Sequence, residues 1–175
     1  MESVTADAIR ELLRRLGERW RRHAVLYLLG GSALCLLGSP RETRDLDYTA
    51  EVAPEDVRAF RQILAELGDS ARIDVEEVAI ADFIPLPAQA YARRRFVGRF
   101  GQLDVYLFDL YTIALSKIAR GFESDLEDVM FMLNSGLIEF AELETDFQAI
   151  LPRAGKADID PREFRAYFAE IRRQL

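Results

Sequence analysis

The stretch Leu28–Glu51, LLGGSALCLLGSPRETRDLDYTAE, decides the reading of this chain. Two glycines and a serine, Gly30, Gly31 and Ser32, follow an apolar run, and after twelve intervening residues Asp45 and Asp47 stand with only Leu46 between them. The run AVLYLL (24–29) reads as a buried strand, SALCLL (32–37) as a short helix closed by Gly38, and DLDYTA (45–50) as a second strand. Side chains two apart on a strand share a face, so both aspartates project one way while Leu46 and Tyr48 project the other. Carboxylates held that close repel each other and favour a hard cation such as Mg²⁺, which takes one or two carboxylates together with phosphate oxygens. A glycine-rich turn running into a helix N-terminus presents backbone amides to a phosphate. Each half has an ordinary explanation, a tight turn and an exposed acidic strand edge; their spacing is what brings them together.

Outward from this stretch, Ile9, Leu12, Leu13, Leu16 and Trp20 recur at helical steps, which predicts an amphipathic helix over 5–22 with Thr5 as N-cap. Pro54 opens a third helix with Gly68 as its stop, and RIDVEEVAI (72–80) reads as a strand. RRFVGRF and LDVYLF flank Gly101-Gln102 as a hairpin, after which helices are expected near 110–119, 124–134, 139–151 and 161–173. The expected architecture is α/β: a mixed sheet flanked by helices over residues 1–110, and a helical part over 111–175 packed on it.

The 175 residues are half hydrophobic and 30% charged, enough apolar material for a core beneath a mixed-charge surface. No apolar run reaches the length of a membrane helix and the first residues are charged, so a cytoplasmic protein without membrane contact is expected. One cysteine, Cys35, and one histidine, His23, exclude an intrachain disulfide and leave carboxylates as the metal ligands. A net charge of −7 argues against broad nucleic-acid binding, leaving two arginine runs, Arg14 to Arg22 and Arg93 to Arg95, as local basic candidates. Neither a P-loop nor a dinucleotide fingerprint occurs.

The order strand, Gly-Gly-Ser, helix, Asp-Leu-Asp-Tyr resembles the signature of the nucleotidyltransferase superfamily, which shares the fold of DNA polymerase beta. The resemblance implies that Asp45 and Asp47 bind metal and that Gly30, Gly31 and Ser32 hold the phosphates of a nucleoside triphosphate. A third carboxylate is implied on a neighbouring strand. Asp104 is the preferred candidate, because a lone acid in an apolar strand is costly without a role, with Asp74 the alternative. A finer resemblance to abortive-infection nucleotidyltransferase-like toxins, and to small bacterial nucleotidyltransferases related to them, rests on Arg41 and Thr43 before the aspartates and on LSKIARGFESDLEDVMFML (115–133). It implies Lys117 as a further phosphate ligand and Asp125 and Asp128 as additional site residues. Read from the residues alone, Ser124 and Glu127 form a capping box, Asp125 serves the helix dipole, and Lys117 is a solvated residue.

The implied reaction is transfer of a nucleoside monophosphate from a nucleoside triphosphate (ATP, CTP or GTP) to a hydroxyl, assisted by two Mg²⁺ ions, with Mn²⁺ as a substitute. The acceptors considered are an RNA end, a protein side chain or a small molecule, and an antitoxin partner is implied by the toxin resemblance. The rival expectation is a non-catalytic module that binds a nucleotide or a partner.

Overall fold

A computed structural model of the chain describes residues 4–175. Five strands, β1 (Ala24–Leu28), β2 (Asp45–Glu51), β3 (Asp74–Glu77), β4 (Arg95–Phe100) and β5 (Leu103–Leu107), form one mixed sheet in the order β3-β2-β1-β5-β4. β1 pairs antiparallel with β2 and parallel with β5, β2 pairs parallel with β3, and β4 pairs antiparallel with β5. The helices are α1 (Ala6–Arg19), α2 (Gly30–Leu36), α3 (Val57–Ala71), α4 (Ile80–Phe83), α5 (Leu110–Arg120), α6 (Glu123–Asn134), α7 (Phe140–Ile150) and α8 (Pro161–Arg173). This is the mixed α/β architecture expected from the sequence.

The chain divides into two compact units, one of residues 4–78 and 95–108 and the other of 79–94 and 109–175. In the first unit, Leu26, Leu28, Leu46, Leu103, Val105 and Leu107 are buried on one sheet face. α1 contributes Ile9, Leu12, Leu13 and Leu16 to the core and α3 contributes Phe60, Leu64 and Leu67. The α1 stripe is the one its sequence period predicts, and Thr5 caps it, its hydroxyl accepting from the Ala8 amide at 3.1 Å. Gly17 of α1 lies so close to β4 that a Cβ there would stand 2.7 Å from Phe100 Cβ, which fixes α1 on this face. Gly68 does not stop α3. A Cβ at that position would come within 2.7 Å of the Ile73 carbonyl and 3.1 Å of the Val75 side chain, so the glycine serves helix–strand contact, and the helix ends three residues later at Ala71, capped by Arg72 in the left-handed conformation (φ 57°).

The second unit is helical, with the rings of Phe147 and Phe168 stacked at 4.0 Å and Phe164 edge-on to Phe147 at 4.8 Å. Its α6 starts at Glu123 with Phe122 as N-cap, so Ser124 lies inside the helix and makes no capping box.

Candidate active site

β1 ends at Leu28, and α2 begins two residues later at Gly30, with Gly30, Gly31 and Ser32 as its first turn. The helix begins two residues before the Ser32 start that the apolar pattern predicts, which places all three residues where amides have no partner within the helix. The two glycines have a role that was not read from the sequence. Gly30 adopts φ +55°, and a Cβ on it would run into Asp47 Oδ2. A Cβ on Gly31 would lie 2.7 Å from Thr43 Oγ1. Both positions therefore make room for side chains arriving from the β2 end of the loop. The Ser32 hydroxyl is turned inward, donating to the Leu29 carbonyl at 2.8 Å, and the residue is fully buried, so backbone amides are what this turn offers a ligand.

Asp45 is exposed and Asp47 half-buried, while Leu46 and Tyr48 between and after them are buried, as the strand period requires. Asp45 Oδ1 accepts from Thr43 Oγ1 at 3.3 Å and from the Arg44 amide at 3.3 Å. Thr43 is thus an orienting residue for the first aspartate while packing against Gly31. Arg41 is exposed in the same connection, its amide donating to Ser39 Oγ at 3.3 Å.

Register separates the two candidates for a third acid. Asp74 of β3 pairs directly with Asp45, and Glu76 pairs with Asp47, so both stand on the same sheet face one strand away. Asp104 also shares that face, but it pairs with Val25, whose partner on β2 is Glu51. Four residues along the strand and two strands across put Asp104 about 16 Å from Asp47. The structure does not bring Asp104 to the paired aspartates. It gives Asp104 a different partner: Arg99 donates through Nε to Oδ1 at 2.6 Å and through Nη2 to Oδ2 at 2.9 Å, with His23 Nε2 at 3.8 Å. The Arg99 guanidinium holds the Asp104 carboxyl below its usual range. This pairing is the physical reason the acid is tolerated in an apolar strand. Glu76 was missed because RIDVEEV shows which residues alternate but not which row each will occupy.

The residues singled out in the second unit form a buried ion-pair cluster. Lys117 is 3% exposed, and its Nζ donates to Asp128 Oδ2 at 2.7 Å and to Asp125 Oδ1 at 3.2 Å. Arg120 also donates to Asp125 Oδ1, at 2.6 Å. Lys117 was expected to be solvated or phosphate-binding. It is instead enclosed by two buried aspartates, and its Nζ is bonded to both. Arg93, from the second arginine run, is likewise engaged, with Asp109, Glu142 and Asp146, and lies 4.4 Å over the Tyr111 ring. In the first run Arg14 pairs with Glu11 and Glu18, Arg19 with Glu66, and Arg22 with Asp56, which makes most of it a charge-balanced helix surface.

Residues 6–172 match the family described as nucleotidyltransferase of unknown function (DUF6036). The chain belongs to this family. A crystal structure of an antigenic nucleotidyltransferase-like protein from Paracoccidioides brasiliensis is similar over 94% of this chain and 95% of that one, with a TM-score of 0.53 and 16% identity, a likeness of fold. No curated protein sequence matches the chain.

A nucleotidyltransferase fold implies a bound divalent metal. Asp45 and Asp47 are hard oxygen donors on one face, and the vacancy at Gly30, which a Cβ would fill, lets the Asp47 carboxylate reach the start of α2. Among the described residues no three acidic, histidine or cysteine side chains converge tightly enough to enclose a metal by themselves. Two carboxylates with the remaining ligands drawn from phosphate oxygens and water is a usual Mg²⁺ environment, so the residues present fit the ion. Among the described residues no helix is long and apolar enough to cross a membrane.

Proposed function

We propose that this chain transfers a nucleoside monophosphate from a nucleoside triphosphate to a hydroxyl acceptor, with Mg²⁺ held by Asp45 and Asp47. The observation that carries the proposal is the interlock of Gly30 with Asp47 and Gly31 with Thr43, which sets the first amides of α2 beside the two carboxylates. Bound Mg²⁺ would polarise the reacting phosphate and neutralise charge on the departing pyrophosphate. The protein's own part is positional. Gly30 and Gly31 present amides to the triphosphate, Thr43 orients Asp45, and Asp74, beside Asp45 in register, stands as the third acid in place of Asp104. The acceptor is the hydroxyl of an RNA end, a protein side chain or a small molecule. A toxin role with an antitoxin partner rests on the resemblance around Arg41 and Thr43.

A single-turnover assay with labelled triphosphates tests the reading. Asp45→Asn is expected to abolish transfer while leaving the fold intact, since the side chain is exposed and outside the core. Undiminished transfer by that variant would overturn the assignment. The second reading, a nucleotide-binding module without catalysis, is favoured by the distance of Asp104 from the paired acids. It predicts Mg²⁺-dependent triphosphate binding, lost in Asp47→Ala, with no transfer to any acceptor.

A further inference from the structure

The face carrying Asp45 and Asp47 continues across β1, β5 and β4, where its chemistry changes. On β1 and β5 the opposite face holds Leu26, Leu28, Leu103, Val105 and Leu107, all aliphatic and buried. The carboxylate face of the same strands holds Tyr27, Tyr106 and Phe108. Their rings form a connected row: Tyr27 lies 5.9 Å from Tyr106 and 5.8 Å from Phe108, and Phe96 of β4 meets Tyr106 at 5.3 Å. Tyr27 is fixed by its phenol, which donates to Glu51 Oε1 at 2.9 Å. The row opens outward, from a buried Phe108 and Tyr27 through a half-buried Tyr106 to Phe96, which is 61% exposed. One edge of the Phe96 ring is therefore supported by Tyr106 while much of its surface faces water. Arg99, paired in register with Asp104 on the same face of β4, is anchored to that carboxylate yet leaves most of its side chain in solvent, next along this face from the Phe96–Tyr106 pair.

We propose that Phe96 and Tyr106 form a stacking subsite for the nucleobase of the donor triphosphate. The inference rests on the nucleotidyl-transfer reading above and extends it to the part of the ligand that the carboxylates do not touch. Tyr106 is two strands and two residues from the level of Asp47, about 12 Å, a separation that a nucleotide lying along the sheet spans with its phosphates at Gly30 and its base over β5. Every nucleobase has a π face, and an aromatic platform flanked by a guanidinium binds it by stacking without reading its hydrogen-bonding edge. The subsite should therefore accept ATP, CTP and GTP with similar affinity.

Calorimetric titration in Mg²⁺ with non-hydrolysable triphosphate analogues, inorganic tripolyphosphate and a short single-stranded oligoribonucleotide lacking a triphosphate tests this. The wild-type chain is expected to bind the analogues about tenfold tighter than tripolyphosphate, the increment of one stacked base. Phe96→Leu should erase that difference without changing tripolyphosphate affinity, and Phe96→Trp should restore it; Tyr106→Leu should act in the same direction as Phe96→Leu. Equal affinity of the wild-type chain for analogues and tripolyphosphate, or analogue binding indifferent to Phe96→Leu, would overturn the subsite. Loss confined to the oligoribonucleotide would also overturn it, assigning the rings to an acceptor. Tripolyphosphate binding that survives Asp47→Ala overturns the underlying reading, an outcome distinct from failure of the base subsite alone.

Discussion

Gly30 is required by another residue's side chain. Its left-handed backbone alone would cost a substituted alanine about 1–2 kcal/mol, and the added methyl would also displace the Asp47 carboxylate, the mobile end of a side chain rather than fixed backbone. Gly30→Ala is therefore expected to leave a folded protein, slightly less stable in urea, whose Mg²⁺-dependent triphosphate affinity falls by at least tenfold as measured by calorimetry. The presence of glycine at this point was plain in the sequence, but its reason was not: a turn that lets backbone approach a phosphate and a turn that admits its own chain's carboxylate carry the same letters. Asp104 makes the complementary case. Because Arg99 lowers its pKa in the folded state, the pair contributes stability that is present above the ordinary aspartate value of about 3.9 and is lost as pH falls through the lower folded value. Asp104→Asn should flatten the loss of stability below about pH 4 in acid titrations followed by circular dichroism, and should leave transfer intact. Asp74→Asn should do the reverse, weakening transfer with little change in acid unfolding.

At the scale of elements, the order and type of the strands and most helices followed from periodicity, and the two aspartates fell on the face that alternation assigns. Row was the missing quantity. Alternation says that Asp74 and Asp104 each face one way, but only hydrogen-bonded register places Asp74 opposite Asp45 and leaves Asp104 four positions away. The α5–α6 pair failed for a similar reason: Lys117 and the Asp125–Asp128 pair each look solvated on their own helix, and only their meeting buries all three. One buried cation with two buried carboxylates is tolerable when every charge is compensated, here with Arg120 as the second cation. Lys117→Met should lower unfolding free energy in urea by about 3–5 kcal/mol, because it strands buried negative charge. The double variant Lys117→Met/Asp128→Leu keeps Asp125 paired with Arg120 and should recover most of that loss. A destabilisation equal in single and double variants would show that packing, not charge compensation, governs the cluster.

For the whole molecule, the net charge of −7 bears directly on what binds the carboxylate face. The acids there, Asp45, Asp47, Asp74 and Glu76, repel an unaccompanied triphosphate and offer too few converging ligands to enclose a cation without one. Each ligand then supplies what the other lacks: the cation screens the acids for the phosphates, and the phosphates complete the coordination of the cation. Binding of the two should consequently be linked, each tightening the other by the same factor. Thermal unfolding makes the linkage visible. Mg²⁺ alone and a non-hydrolysable triphosphate alone should each shift Tm little. Together, at about 100 times their joint Kd, they should add about 2.7 kcal/mol, equivalent to roughly 5–10 °C for a chain of this size. Asp47→Ala should remove the joint shift while preserving the small one given by each ligand singly. Additive shifts in the wild-type chain would mean that cation and nucleotide occupy independent sites, and the carboxylate face would then not be where the triphosphate is held.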